Sequence, residues 1–302
     1  MLTFLQPRNF CDGANAGRDF GVQPKDMLSV RLTAHCSERC GFCIAAEDMK
    51  TKKPVNVPAI IEKVREIKPQ ALNTIGGEPL LFLKDCIELN DGVSDIVDTN
   101  WFTTALPKTL STQWDLFEQF MGNPIVKLII SIQSFDWKTN NQLMTSRNDY
   151  DRIEVLEKIL NKYADRVQVN INLIRGGIDT KEKLYSALDT LASFGAKRVR
   201  INELQSAPLY YVNFEEISGI EMKAPYAFGC KTMMPKDFYP HMDVQVKRSC
   251  FMVESSLGAT EDEVAKLEHK IANPDLYKWA DSGVIYEDGS VTEYWQNFRE
   301  DC

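Results

Sequence analysis

Short apolar runs alternate with amphipathic stretches over the first two thirds of the chain. Met27–Leu32, Ala71–Ile75 and Val126–Ile132 have the length and composition of buried strands. Val57–Ile67 and Asp151–Tyr163 instead place apolar residues at helical spacing. This order predicts a parallel sheet whose strands are joined by helices packed outside it.

The alternation continues to about residue 205. Further strands are predicted at Asp95–Val97, Val167–Ile174 and Val199–Leu204, and further helices at Lys84–Leu89, Gln113–Met121 and Lys183–Phe194. Six such strands predict an α/β fold, a partial (β/α)6 barrel of the TIM type with right-handed connections. Because chemistry collects at the carboxyl ends of such strands, the predicted active face consists of six loops: Ala34–Cys43, Gly76–Pro79, Asp98–Thr103, Ser131–Phe135, Asn172–Gly176 and Asn202–Ser206.

The pattern divides the chain into three parts. Residues 1–26 are rich in Gly, Asn, Asp and Pro and are expected to form an irregular arm, and residues 27–206 form the barrel. Residues 207–302 break the alternation and predict a small C-terminal α+β extension, a cap or auxiliary domain. It has a helix at Thr260–Ile271 and a hairpin at Val284–Tyr294 that turns at Asp288–Gly289.

Composition narrows the class of protein. The 302 residues are 44% hydrophobic and 26% charged, as in soluble globular chains. The net charge of −8 argues against nucleic acid as the main partner. No apolar run reaches the roughly 20 residues of a membrane-spanning helix, and the first residues do not resemble a secretory signal. We therefore expect a cytoplasmic protein with no membrane partner.

Cysteines introduce the first candidate chemistry. The chain has eight, which are not expected to form a disulfide framework in a protein without an export signal. Cys36, Cys40 and Cys43 lie directly after the first predicted strand, and three thiolates can share one soft metal centre. Zinc would need a fourth ligand, whereas an iron–sulfur cluster held by three cysteines leaves one iron free for another group.

The cysteine spacing also carries a family resemblance. Cys36-x3-Cys40-x2-Cys43, with Phe42 before the last cysteine, resembles the cluster motif of the radical S-adenosylmethionine (SAM) superfamily. Gly76–Pro79 is similar to its GGEP element. Asp98–Asn100 is similar to the Thr-Asn segment of the same superfamily. Three later segments resemble the GTP cyclase of molybdenum-cofactor synthesis and its relatives with auxiliary clusters, the SPASM/twitch branch: Ser131–Ser134, Ile174–Gly176 and Asn202–Glu203.

The resemblance implies an enzyme. Cys36, Cys40 and Cys43 would hold three irons of a [4Fe–4S] cluster, and SAM would chelate the fourth. Reductive cleavage of SAM would give a 5′-deoxyadenosyl radical that abstracts hydrogen from a small-molecule or nucleotide-like substrate. The electron would come from a donor such as flavodoxin or ferredoxin, and no residue is assigned to catalysis on the substrate itself.

The resemblance further implies where SAM and substrate bind. Gly76 and Gly77 lack Cβ atoms and admit the methionyl group closely, and Glu78 would pair with its ammonium. Phe42 would lie against the adenine or would pack as an ordinary core aromatic. The other candidates for cofactor or substrate contact are Pro79, Asn100, Ser131, Gln133, Asn172, Arg175 and Glu203.

Strand alternation and charge add detail to these candidates. Ser131 and Gln133 face the barrel interior if their apolar neighbours pack outward. The guanidinium of Arg175 suits a carboxylate or a phosphate, with a surface ion pair as the alternative. The alternating charges along Lys197–Arg200 are expected to be solvated at the entrance of the sheet.

Three features of the sequence allow more than one interpretation. Cys230, Cys250 and Cys302 are candidate ligands of a second iron–sulfur cluster, or else buried free thiols, and Cys11 and Cys86 are expected to be structural. The substrate could be a peptide side chain, with the C-terminal part as its docking surface. In a hypothesis of another class, the chain is a zinc-stabilised barrel that binds a partner without catalysis.

Overall fold

One sheet runs through the part of the chain that the structure describes. The computed structural model describes residues 27–43, 45–46, 48–146, 149–204, 207–222, 231–248 and 283–292. The strands are β1 (Met27–Thr33), β2 (Ala71–Gly76), β3 (Thr99–Thr104), β4 (Val126–Ile132), β5 (Val167–Leu173), β6 (Arg198–Glu203), β7 (Lys231–Met233), β8 (Asp243–Lys247), β9 (Val284–Ile285) and β10 (Val291–Thr292). Their order across the sheet is β10-β9-β1-β2-β3-β4-β5-β6-β8-β7.

Most neighbouring strands are parallel. From β1 to β6 they follow each other in chain order and in the same direction. β8 joins β6 and β9 joins β1, also in parallel, and β7 and β10 run antiparallel at the two ends of the described sheet. The predicted α/β fold is confirmed, because helical crossovers return each strand in the same direction.

The helices begin at residues that the sequence marks. They are α1 (Val57–Ile67), α2 (Leu83–Val93), α3 (Thr109–Thr112), α4 (Trp114–Gly122), α5 (Trp137–Leu143), α6 (Arg152–Tyr163), α7 (Lys181–Ser193) and α8 (Phe214–Ser218). The Asn56 side chain accepts a hydrogen bond from the Ala59 N–H at the start of α1, and Asp151 accepts two from the first turn of α6. In the described ranges, no helix has the length and apolarity that crossing a membrane requires.

The two faces of the sheet differ in chemistry. The outer face is apolar, and its residues, such as Val30 and Ile201, are buried in the core cluster that the helices share. The inner face carries many polar side chains toward the carboxyl ends of the strands. Toward the amino ends of β1 and β2, a separate apolar cluster closes the inner face: Met27, Ala71, Trp101 and Ile129.

The third strand lies later in the chain than predicted. Asp95–Val97 lies in the turn after α2, where the Val97 N–H donates to the Val93 oxygen. β3 follows it, and its Thr, Trp and Phe side chains suit a pleated, half-buried surface. The predicted strand at Asp95–Val97 is therefore wrong, and most of the loop predicted at Asp98–Thr103 is strand.

The described C-terminal residues extend the same sheet. The predicted hairpin at Asp288–Gly289 is confirmed: Gly289 has φ +82°, and its N–H donates to the Tyr286 oxygen. β7 and β8 lie at the opposite end of the same sheet, and the predicted division of the chain after residue 206 stays a prediction. A separate auxiliary role for residues 207–302 stays a prediction, and residues 1–26 and the predicted helix at Thr260–Ile271 lie outside the described residues.

Candidate active site

Three free cysteines follow β1 on one loop at the carboxyl edge of the sheet. Cys36 is exposed, and Cys40 and Cys43 are half-buried. The Cys43 N–H donates to the Cys40 oxygen at 3.2 Å, which turns the loop back on itself. Burial raises the pKa of the Cys40 thiol, and the neighbouring thiols of Cys43 and Cys36 raise it further. Metal binding at this loop would therefore release protons.

The donor set suits an iron–sulfur cluster. It consists of three thiols, the ligand type of such clusters, on a loop that reaches the surface. In the described ranges, no three His, Cys, Asp or Glu side chains are placed to ligate a single metal ion.

The glycines of the β2 loop admit the backbone that leads into Cys36. A Cβ on Gly77 would lie 2.0 Å from the His35 oxygen, and one on Gly76, where φ is +137°, would lie 2.2 Å from the Thr33 oxygen. The Gly77 N–H donates to that Thr33 oxygen at 2.7 Å. Both glycines are thus required by protein packing, and their predicted contact with SAM stays a prediction.

Glu78 ties the β2 loop to the residues after β3. Its carboxylate accepts hydrogen bonds from Leu80 N at 3.1 Å, Thr104 Oγ1 at 2.8 Å and Ala105 N at 2.8 Å. Burial raises the pKa of this carboxyl to about 7, against the opposing effect of these hydrogen bonds. Pro79 is buried beside it and begins the next turn. The predicted pairing of Glu78 with an ammonium stays a prediction.

Sequence reasoning missed an ion pair beneath the cysteine loop. Arg152 Nη2 lies 2.7 Å from Glu38 Oε1, and both side chains are buried. Glu38 stands between Cys36 and Cys40, but its partner is 114 residues away in the chain. No local pattern could have revealed it.

The carboxyl ends of the strands surround an opening, the mouth of the barrel. Phe42 packs at this mouth on the side of β5 and β6. Its ring meets Tyr210 edge-on at 5.9 Å between centroids, beside the apolar cluster of Ile174, Leu204 and Ala207. The packing role is therefore present. The predicted contact with adenine stays a prediction, and Tyr210 is a residue of the mouth that the motifs did not indicate.

Polar residues line the inner face of β4, β5 and β6. Ile130 and Ile132 pack in the outer core, so the predicted inward orientation of Ser131 is confirmed. Asn202 Nδ2 donates to Asn172 Oδ1 at 3.1 Å, and both residues are half-buried. These side chains form a wall opposite the cysteine loop.

One prediction about this wall changes. Arg200 is only 6% exposed and its Nε donates to Gln245 Oε1 at 2.7 Å, so the expectation of solvated charge is wrong because strand parity turns it inward. Gln133 is buried at the end of β4, and its Oε1 has no hydrogen-bond partner in the described part of the chain. Arg175 is exposed, and no ion pair of its side chain occurs among the described residues.

Asn100 and Glu203 lie on the helix side of the sheet, away from the interior. Asn100 is near the amino end of β3, between Thr74 Oγ1 at 2.7 Å and Asn90 Oδ1 at 2.9 Å. Glu203 accepts a hydrogen bond from Phe214 N at 2.8 Å. Their placement gives both residues a structural role, which corrects the expectation that they contact cofactor or substrate.

The other cysteines divide between two regions. Cys86 is buried, and its Sγ lies 3.3 Å from the Pro79 oxygen, in keeping with its expected structural role. Cys230, Cys250 and Cys302, the candidate ligands of a second cluster, lie outside the described residues, as does Cys11.

Known proteins share this fold and this sequence pattern. The family model for the radical SAM superfamily matches residues 30–191. The molybdenum cofactor biosynthesis protein moc-5 of Caenorhabditis elegans is 23% identical over 168 residues, 52% of this chain and 26% of that protein.

The structural comparison concerns the fold alone. SuiB of Streptococcus suis bound to S-adenosylmethionine has a TM-score of 0.54 and 14% identity, over 88% of this chain and 59% of that chain. SuiB bound to its precursor peptide SuiA has a TM-score of 0.53 and 15% identity, over 88% of this chain and 58% of that chain. The chain thus spans about a quarter of the length of moc-5 and about three fifths of that of SuiB.

Proposed function

Because the chain belongs to the radical SAM superfamily and is an enzyme of that class, we propose that Cys36, Cys40 and Cys43 hold a [4Fe–4S] cluster beside bound SAM. The observation that carries the proposal is the placement of three free thiols on one loop at the carboxyl end of β1. Thiolates are the ligands that such clusters take. A cluster held by three of them has one iron left for SAM.

When bound, these groups supply reductive cleavage of a sulfonium bond and hydrogen abstraction from the substrate by a 5′-deoxyadenosyl radical. The residues of the chain shape the place where this occurs. Gly76 and Gly77 let the β2 loop pack against the backbone before Cys36. Glu78 holds the same loop to β3. The apolar cluster of Met27, Ala71, Trp101 and Ile129 excludes water from the opposite end of the inner face.

A small-molecule or nucleotide-like substrate suits the inner wall best. Ser131, Asn172 and Asn202 offer half-buried hydroxyl and amide groups, which can donate and accept hydrogen bonds. Arg175 adds an exposed cation at the end of β5, which suits a carboxylate or a phosphate. The substrate is therefore proposed to carry several hydrogen-bonding groups and one anionic group.

A peptide side chain is the second candidate substrate. The likeness in fold to SuiB, which was solved with the peptide SuiA, extends over 88% of this chain. Leu209, next to Tyr210 at the mouth, is 82% exposed and offers an apolar contact for a peptide. The C-terminal part would then be the docking surface.

The enzyme needs an electron source and is proposed to hold a second centre. One electron per turnover would come from a donor such as flavodoxin or ferredoxin. Cys230, Cys250 and Cys302 are proposed as ligands of an auxiliary cluster that would bind substrate or pass electrons.

Metal analysis after anaerobic reconstitution tests the proposal. Iron, zinc and sulfide per chain are measured for the natural chain, for Cys36→Ala/Cys40→Ala/Cys43→Ala and for the control Cys86→Ala. About four irons, lost only in the triple variant, would support one cluster, and about eight falling to four would support a second. Zinc without iron would overturn the proposal.

Turnover then separates the substrate classes. The reconstituted enzyme with SAM and dithionite should form 5′-deoxyadenosine, and the triple variant should form none. A rise in 5′-deoxyadenosine on adding a nucleotide or a small carboxylic acid would favour the first candidate. A rise only with a short peptide encoded beside the gene would favour the second.

A further inference from the structure

A buried ion pair joins the cysteine loop to the start of α6. Glu38 and Arg152 meet at 2.7 Å, with side-chain exposures of 1% and 0%. A charge buried without a partner costs several kcal/mol, so each of the two depends on the other. The pair lies within the loop proposed to bind iron, since Glu38 is two residues from both Cys36 and Cys40.

All five N–H groups of the Arg152 guanidinium find acceptors. The acceptors come from the cysteine loop, the loop after β3, α5 and the segment before α6: Glu38 Oε1 at 2.7 Å, Ala105 O at 2.6 Å, Leu106 O at 3.4 Å, Asn141 Oδ1 at 2.7 Å and Ser146 Oγ at 2.9 Å. A lysine has three donors on a flexible stem and cannot reproduce this rigid fork. Arg152 therefore holds four segments of the mouth in one arrangement.

Glu38 reaches the first cysteine through its own backbone. Its N–H donates to Cys36 Sγ at 3.4 Å. At the other end of the loop, the Arg39 N–H donates to the Met144 oxygen at 3.0 Å, and Cys40 Sγ lies 3.8 Å from the same oxygen. Because the N–H and the carboxylate belong to one residue, fixing the Glu38 side chain also fixes the donor that faces the Cys36 sulfur.

We propose that Glu38 and Arg152 are positioning residues that shape the Cys36–Cys40 loop for its cluster, and that their opposite charges set the reduction potential of that cluster. This inference rests on the proposed [4Fe–4S] site. Hydrogen bonds to cysteine sulfur and the net charge near it are two of the factors that tune such potentials. The hydrogen bonds of Arg152 fix the geometry of the loop, and the negative charge of Glu38 balances the positive charge of Arg152.

Two conservative variants separate geometry from charge. Glu38→Gln keeps an oxygen that can accept from Arg152 but removes the negative charge. We expect it to retain iron and to shift the midpoint potential upward, because an unbalanced cation favours the more negative, reduced cluster. Arg152→Lys keeps the charge but loses the fork. We expect it to bind less iron and to lose it faster to a chelator, with a smaller change in potential.

The measurements are iron and sulfide content, the rate of iron loss to a chelator, and a redox titration followed by electron paramagnetic resonance. Glu287→Gln is the matched control, because it removes the carboxylate from another fully buried pair, which joins Arg31 on β1 to Glu287 in the C-terminal hairpin at 2.7 Å. It should lower the unfolding temperature without moving the potential. Ser146→Ala removes one acceptor of Arg152 and no charge, and it should quicken iron loss by itself.

The outcomes distinguish this inference from the proposed function. A natural chain that binds no iron would contradict the proposed function. A loaded natural chain whose Glu38→Gln and Arg152→Lys variants match it in iron content, iron loss and potential would overturn this inference alone. If both variants fail to fold, Ser146→Ala decides: faster iron loss supports the inference, and an unchanged rate contradicts it.

Discussion

The two sides of the barrel mouth use polar residues in opposite ways. At the carboxyl ends of β1, β2 and β3, Glu38, Glu78 and Arg152 are buried and bonded to other segments of the chain. Across the mouth, Ser131 and Asn172 on β4 and β5 are half-buried on the inner face. The first side holds its loops in place, whereas the second presents groups that a ligand can reach.

This contrast makes a general prediction. Substitutions on the cysteine side should lower the free energy of unfolding, because buried polar groups lose their partners. Substitutions on the β4–β6 wall should leave stability nearly unchanged and alter ligand handling instead.

Gly77→Ala should have the largest effect. The added Cβ would lie 2.0 Å from the His35 backbone oxygen, which cannot move without displacing the loop before Cys36. We expect a loss of about 3 kcal/mol, measured by urea unfolding. Gly122→Ala is the control, since a Cβ there meets nothing within 4 Å, and it should change stability by less than about 1 kcal/mol. Equal stability of both variants would show that the glycine contact does not hold the loop.

Asn100→Ala and Asn172→Ala compare two asparagines on opposite faces of the sheet. Asn100 is fully buried between Thr74 and Asn90, so its loss should cost about 1–3 kcal/mol. Asn172 is half-buried with Asn202 as its partner, so its loss should cost about 1 kcal/mol or less. Urea unfolding measures both. The reverse ranking would contradict the division between a structural and a ligand-facing asparagine.

Glu78 should make stability depend on pH. The pKa of its carboxyl is raised from 4.5 to about 7, chiefly by burial. Between these values the folded state binds more protons than the unfolded state, so stability should fall as pH rises through this window. Glu78→Gln should remove that slope, at most about 1.4 kcal/mol per pH unit.

Unfolding free energies at several pH values between 4.5 and 7 test this expectation. Glu66→Gln is the control, because that carboxylate is 65% exposed and pairs only with Lys63 among the described residues. The Glu66→Gln variant should leave the slope of unfolding free energy against pH unchanged. A slope that becomes more negative when Glu78 is replaced by Gln would show that the hydrogen bonds to Glu78 outweigh its burial.

Arg175→Gln should have the smallest effect on stability. Its side chain is exposed and makes no ion pair in the described part of the chain, so we expect a change within about 0.5 kcal/mol. Added inorganic pyrophosphate should raise the unfolding temperature of the natural chain less strongly once Arg175 is replaced. Arg65→Gln, which breaks a surface pair with Asp95, should keep the full pyrophosphate effect. An equal response in all three proteins would remove Arg175 from the proposed substrate site.

Local patterns predicted much of the barrel. The bounds of α1 and β4 are those predicted, because helical spacing after a capping Asn and a continuous apolar run are local signals. β3 was misplaced because its polar threonines hid a strand, while the apolar residues before it close α2. α5 went unpredicted for lack of a clear apolar period. β8 went unpredicted although Val244 and Val246 alternate with polar residues, because the run is only five residues long.

The sequence by itself determined the parallel α/β sheet, the cysteine loop after β1 and the GGEP loop after β2. These follow from periodicity and from the rule that parallel strands bring their carboxyl ends to one edge. Only the tertiary structure decided that Asn100 and Glu203 face the helices, since a shift of one residue reverses every side chain of a strand. It also decided that Glu38 meets Arg152 and that Arg31 meets Glu287, pairs separated by 114 and 256 residues. Such partners are chosen by long-range packing, which leaves no mark on the residues around either member.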